Sequence, residues 1–116
     1  MARLAAEAAL EKKAEDVILV DLREKSSYAD FLVLCTGTNE RQLDAIADGV
    51  DKAIKDAGHK LVGSEGQAQG KWVLIDVGDV VVHVFHVDER PHYDLEGLWA
   101  DAPQTRIEPK PASAAK

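Results

Sequence analysis

Hydrophobic residues along the chain form runs with strand-like or helical spacing, separated by polar segments. Unbroken apolar runs at 17–20 and 31–35 predict buried strands over 16–22 and 30–36. Between 72 and 85, two further β-prone runs flank a central Gly-Asp pair, which suits the tight turn of a hairpin. A short segment over 61–65 predicts one more strand, so the pattern predicts about five strands in all.

The best-marked helix follows the second strand. Apolar residues recur every three or four positions over 43–57, which is the spacing of one buried helix face. Asn39 is a good N-cap, and Gln42 three residues later completes a capping-box pattern. Gly58 stands where a helix commonly ends.

Helices are also predicted at both ends of the strand region. Residues 3–13 predict a short helix rich in Ala, Leu, Glu and Lys, and Pro91 suits the first turn of a last helix. The order α-β-β-α-β-β-β-α predicts an α/β (α+β) domain over residues 1–101, with a mixed sheet of about five strands and packed helices. From Ala102 onward the chain is rich in Pro, Ala, Lys and Ser, which predicts a disordered tail over 102–116.

The predicted hairpin has two chemically different faces. With Gly78-Asp79 as a type II′ turn, directly opposed residues share a face and alternate residues change face. One face is purely aliphatic and consists of Val73, Ile75, Val77, Val80, Val82 and Val84. The other consists of Trp72, Leu74, Asp76, Val81, His83 and Phe85. Large aromatic residues beside polar groups predict a protein-binding surface. Alternatively, a helix covers this face and Asp76 pairs with His83 across the strands.

Charge and cysteine content exclude several classes of protein. The chain has 14 basic and 21 acidic residues, and this net charge of −7 argues against naked nucleic acid as the main ligand. It does not argue against a basic protein partner, because opposite charge would speed encounter with one. The single cysteine, Cys35, lies in an apolar run and cannot form an internal disulfide, as expected in a reducing compartment. No stretch reaches the ~18 apolar residues of a membrane span. Glu7 and Glu11 interrupt any apolar signal sequence, so we expect a cytoplasmic protein.

Candidate catalytic and metal-binding residues lack the required context. His83 and His86 are three residues apart on a strand and so point to opposite faces, which disfavours a metal site with His92. Gly37-Thr38 lies between a strand and a helix, like the Gly-Ser turn of nucleotidyltransferases, where a helix N-terminus receives phosphate. That chemistry also needs converging carboxylates, and no D-x-D pair follows on the next strand. We therefore predict no enzyme activity, metal or cofactor, with a nucleotide-handling enzyme as the alternative.

Four segments carry motifs of a known family. They are 26–31 (SSYADF), 35–42 (CTGTNERQ), 72–85 (WVLIDVGDVVVHVF) and 93–99 (YDLEGLW). These segments resemble the Iojap family of bacterial ribosomal silencing factors, in the same order and across roughly residues 4–102. The resemblance implies a nucleotidyltransferase-like core without catalytic carboxylates, which agrees with the bare Gly37-Thr38 turn.

The resemblance also implies a function. It points to a translation repressor that binds ribosomal protein L-fourteen of the large subunit and blocks joining of the small subunit when nutrients are short. It further implies homodimers in isolation, with a generic dimeric scaffold as another alternative. The family's binding surface includes the tryptophan that matches Trp72, and the hairpin face extends the predicted contacts. The predicted partner-binding residues are Trp72, Asp76, His83, Phe85, Tyr93 and Trp99.

Overall fold

The computed structural model describes residues 2–25, 29–65, 72–88, 90–93 and 95–108, with only the backbone for 64–65, 92–93 and 95–96. The helices are α1 (Ala2–Glu11), α2 (Glu40–Asp56), α3 (Arg90–Tyr93) and α4 (Leu95–Leu98). The strands are β1 (Glu15–Asp21), β2 (Phe31–Gly37), β3 (Gly63–Glu65), β4 (Trp72–Asp76), β5 (Val80–His86) and β6 (Gln104–Arg106). Among the described residues, no helix combines the length and apolar composition needed to cross a membrane.

All the described strands form a single mixed sheet in the order β3-β4-β5-β2-β1-β6. The central strands β2 and β5 pair in parallel, and the other neighbours are antiparallel. The predicted α/β class, with a mixed sheet and packed helices, is confirmed. The described part of the sheet has six strands where about five were predicted, because β6 lies in the segment that composition assigned to the tail.

The prediction that the chain is disordered from Ala102 onward is wrong for residues 102–108. The strand β6 pairs antiparallel with β1, and both Ala102 and Ile107 are buried. The Ile107 N–H donates a 2.8 Å hydrogen bond to the carbonyl oxygen of Val17. An edge strand needs backbone pairing and few apolar anchors, so its polar composition gave no strand signal. The rest of the predicted tail, 109–116, lies outside the described residues.

The larger of two cores lies between the sheet and the helices α1 and α2. It contains the aliphatic face of the hairpin, the buried alanines of α1 and the apolar face of α2. The last of these comprises Leu43, Ile46, Ala47, Val50 and Ile54. Cys35 is fully buried here, and burial raises the pKa of its thiol to about 12, so it is an inert core residue at neutral pH.

Capping explains where α2 begins. The Asn39 side chain accepts a 2.8 Å hydrogen bond from the Gln42 N–H, as the sequence predicts. The reciprocal arm of the predicted capping box is different, because the Gln42 side chain turns to Thr38 instead of the Asn39 N–H. The cap therefore fixes the helix start and the preceding turn together.

A smaller core lies on the opposite side of the sheet. Its buried members are Val20, Leu22, Ala29, Leu32, Leu34, Val81, Phe85 and Ala102. Residues Ile18, Trp72, Leu74 and Trp99 pack against it and remain partly accessible. Because successive residues on a strand point to opposite faces, Leu32 and Leu34 belong to this core while Val33 and Cys35 belong to the larger one.

Candidate partner-binding surface

The hairpin of β4 and β5 has the register predicted from its turn. Trp72 lies opposite Phe85 and Asp76 lies opposite Val81. The Val77 N–H donates a 2.9 Å hydrogen bond to the Val80 carbonyl oxygen, which closes the turn. Gly78 has a φ of +92°, whereas Asp79 has no positive φ, as in a type II′ turn. The assignment of residues to the two faces is thereby confirmed.

On the non-aliphatic face of the hairpin, the side chains of β5 are buried whereas those of β4 are partly accessible. On β5, the side chains of Val81, His83 and Phe85 are buried. On β4, the side chains at the corresponding positions are half-buried; we call this set, Trp72, Leu74 and Asp76, the β4 patch. The difference follows from position, because β5 lies inside the sheet whereas only the three-residue strand β3 lies outside β4.

Two sequence-based expectations for this face need correction. The expectation of an accessible surface is wrong for His83 and Phe85, which are 5% and 1% exposed. The alternative, an Asp76–His83 pair, is also wrong, because Asp76 accepts a 2.8 Å hydrogen bond from the Gly78 N–H. His83 lies opposite Leu74 rather than opposite Asp76, which puts the two polar side chains out of register.

Three aromatic rings meet where the closed and open parts of this face join. Trp72, His83 and Phe85 lie with their ring planes within 6° of parallel and their centroids 5.8–6.0 Å apart. The Trp72 Nε1–H donates a 3.1 Å hydrogen bond to His83 Nδ1. Burial lowers the pKa of His83 to about 4, so its ring is neutral at pH 7, and the hydrogen bond from the indole assigns the free lone pair to Nδ1. The half-exposed indole of Trp72 is therefore held by a hydrogen bond to a buried, neutral imidazole.

Trp99 packs on the same smaller core from the C-terminal segment. Its side chain is half-buried, and the neighbouring Leu98 is 67% exposed. The Trp99 carbonyl oxygen accepts hydrogen bonds from the Ala102 N–H at 2.9 Å and the Gln104 amide at 3.0 Å. The predicted neighbour Trp99 is thus brought to the core that carries Trp72. The side chain of Tyr93, the other predicted neighbour, lies outside the described residues.

Sequence reasoning missed Arg90, which fixes the start of this C-terminal segment. Its guanidinium is buried, and Nη1 donates 2.7 Å hydrogen bonds to the Asp16 carbonyl oxygen and the Thr36 hydroxyl. A charged group at this depth requires such partners. Asp16 has a positive φ of +49°, an unusual conformation for a residue other than glycine. That φ is invisible in the sequence pattern, and so is the contact.

The Gly37-Thr38 turn serves packing rather than leaving an open anion cradle. The Thr38 N–H and hydroxyl both donate to Gln42 Oε1, at 2.7 and 2.9 Å. The Gln42 amide donates in turn to the Lys13 carbonyl oxygen at 2.9 Å. A Cβ on Gly37 would lie 2.7 Å from Leu43 Cδ1, so glycine lets α2 close against β2. Across the described ranges, no cluster of three or more His, Cys, Asp or Glu is placed to hold a metal.

Comparison with known proteins agrees with the four sequence motifs. A family model described as "Ribosomal silencing factor during starvation" matches residues 1–116. The chain belongs to this family. It is 47% identical over 106 residues to the ribosomal silencing factor of Halalkalibacterium halodurans, which covers 91% of each chain. It is 44% identical over 101 residues to that of Bacillus subtilis, which covers 87% of this chain and 86% of the relative.

A solved structure extends the similarity to the fold. The crystal structure of a protein from Chromobacterium violaceum matches with a TM-score of 0.83 at 38% identity. The match covers 97% of this chain and 92% of that chain. The resemblance inferred from the four motifs is thereby confirmed at the level of family and fold.

Proposed function

We propose that this chain is a non-catalytic translation repressor that binds ribosomal protein L-fourteen on the large ribosomal subunit. The observation that carries the proposal is the half-exposed Trp72, whose indole N–H is held by a hydrogen bond to the buried His83 at the end of the hairpin face away from the turn. Tryptophan is enriched among residues that dominate binding energy, and a pre-ordered side chain loses little entropy on binding. Trp72 is accordingly the central contact, with Leu74 and Trp99 beside it.

Charge supports a basic partner. The net charge of −7 and the half-buried Asp76 within the β4 patch would attract a basic ribosomal protein and repel bare phosphate. Electrostatic attraction of this kind raises the rate of encounter more than the final affinity. We assign Asp76 to steering at the rim and Trp72 to affinity.

The mechanism needs no chemistry. A domain of this size presents roughly 800 Å² to one partner, a standard one-sided interface. A protein bound where the small subunit docks excludes that subunit sterically, so translation falls when the repressor accumulates. We further propose that the free protein is a cytoplasmic homodimer; this part of the proposal rests on the family resemblance.

Co-sedimentation with purified large subunits tests the proposal. Trp72→Ala is expected to weaken binding about thirtyfold or more, the loss typical of a central aromatic contact. The matched control is Phe31→Ala, which truncates a half-buried aromatic that packs on the opposite core. This control is expected to bind like wild type. Equal binding by folded Trp72→Ala would contradict the site, and absence of binding by wild type would contradict the function.

A second arm tests the steric mechanism. Small and large subunits are mixed with an excess of the wild-type protein, and the fraction that joins is measured on a density gradient. We expect wild type to reduce joining and Trp72→Ala to leave it unchanged. Joining that is unaffected by bound wild-type protein would contradict steric exclusion even if binding itself holds.

A further inference from the structure

We propose that His83 is a positioning residue that sets binding strength without touching the partner, by fixing the orientation of the Trp72 indole. This inference rests on the proposed function of Trp72. It replaces the direct contact that the hairpin pattern assigned to His83, because a side chain that is 5% exposed cannot supply much contact area. The role is therefore indirect and passes through one hydrogen bond.

The geometry of that hydrogen bond carries the inference. The Trp72 Nε1–H points at His83 Nδ1 over 3.1 Å, and the two ring planes are 4° from parallel. The indole N–H is a donor only, and a partly buried donor without a partner is costly. An indole in any other rotamer would give up this acceptor. The bond thus selects one orientation of a ring that is otherwise half-exposed.

His83 is itself held firmly enough to serve as a reference point. Leu74 lies opposite it on β4, Leu34 lies beside it on β2, and the Phe85 ring lies parallel at 5.8 Å. Burial disfavours its charged form, and because the Trp72 indole can only donate, Nδ1 is the acceptor and the ring proton resides on Nε2 at neutral pH. A fixed, neutral acceptor is what an indole N–H requires.

The surrounding sequence argues against a simple space-filling role. Its neighbours on β5 are valines and Phe85, so an aliphatic residue would suit position 83 if only volume mattered. A buried imidazole costs free energy unless its polar atoms find partners. The bond from Trp72 supplies one such partner, and it accounts for a histidine at this position.

Two substitutions of His83 separate its role as a hydrogen-bond acceptor from the volume that its side chain fills. In His83→Asn the side-chain oxygen lies near the place of Nδ1 and can still accept from the indole. In His83→Leu the volume is kept and the acceptor is lost. A structural role alone predicts that both variants behave alike or that leucine is better tolerated, whereas the positioning role predicts rescue by asparagine.

The experiment combines NMR with binding to large subunits. The chain has two tryptophans, so a Trp99→Phe spectrum assigns the Trp72 indole N–H resonance. We expect His83→Leu to shift that resonance and to weaken binding about fivefold, the scale of one net hydrogen bond. We expect His83→Asn to keep both the resonance and the affinity close to wild type.

The outcomes distinguish this inference from the proposed function. If His83→Leu shifts the resonance and binds like wild type, or if both variants lose affinity equally, the positioning role is overturned. The proposed function fails separately, if Trp72→Ala binds like wild type. Should His83→Leu not fold, His83→Val removes the acceptor with the side chain that flanks this position on β5: a shifted indole resonance with about fivefold weaker binding supports the inference, and a shifted resonance with unchanged affinity overturns it.

Discussion

The two faces of the sheet differ in composition and in how far the chain covers them. The face under α1 and α2 is aliphatic throughout, and α2 alone contributes five buried side chains to it. The opposite face combines aliphatic residues with Trp72, His83 and Phe85, and it stays open along β4. We call the face under α1 and α2 the closed face and the opposite one the open face; in the proposed function the open face binds the partner, and a surface that binds a partner cannot be fully covered by its own chain.

Truncating a buried side chain on the closed face should have the largest effect on the free energy of unfolding. Ile46 of α2 is fully buried, so Ile46→Ala is expected to lower the free energy of unfolding by about 3 kcal/mol through lost burial and a residual cavity. Urea unfolding measures this change. The control is Leu98→Ala, at a side chain that is 67% exposed, where little change is expected. Comparable losses at the two positions would break the contrast between the faces.

Lowering the pH should destabilise the protein through the buried His83 on the open face of the sheet. His83 has a folded pKa of about 4, below the ordinary 6.5, so between these values the unfolded chain binds the extra proton. The stability contribution is complete above pH 6.5 and is lost as the pH falls towards 4. From pH 7 to pH 5 we expect a loss of about 2 kcal/mol, measured by urea unfolding at each pH.

The control for the pH dependence is His83→Asn, which does not titrate. Its unfolding free energy should change less between pH 7 and pH 5, and the difference between the two proteins isolates the histidine. Parallel pH profiles for wild type and variant would show that some other group causes the loss, and the contrast between the faces would then need a different chemical basis.

The smallest effect is expected at the rim of the open face. In Asp76→Asn the side-chain oxygen can still accept from the Gly78 N–H, so the unfolding free energy should stay within about 0.5 kcal/mol of wild type. Loss of the charge should slow association with large subunits and weaken its dependence on salt. Stopped-flow association at two salt concentrations checks this. Unchanged rates would remove Asp76 from the binding surface while leaving Trp72 in place.

Local patterns in the sequence were sufficient for much of this fold. The runs at β1, β2, β4 and β5 and the cap at Asn39 all carry signals within a few residues of one another. The hairpin register also followed, because Gly78 with its positive φ places the turn and alternation does the rest. The four motifs at 26–31, 35–42, 72–85 and 93–99 gave the family by the same local means.

What the sequence could not predict depends on contacts between distant segments. Phe85 is buried in a core that Ala102 joins from the C-terminal segment and against which Trp99 packs, and no periodicity within the hairpin reveals this cover. The hydrogen bond from Arg90 to Thr36 joins residues 54 positions apart. Polar edge strands such as β6 escape prediction for a related reason, because their stability comes from the neighbour they pair with.

The strand β6 bears on how readily the protein aggregates at high concentration. Its residues Gln104, Thr105 and Arg106 are all exposed, yet they cover the backbone of β1, which would otherwise form the border of the sheet. An uncovered apolar strand is a template for pairing with other molecules. By pairing with β1, strand β6 therefore blocks the addition of another chain at this edge. A chain that ends before Gln104 would present Ile18 and Leu19 on an open border, where a second copy could add its own strand.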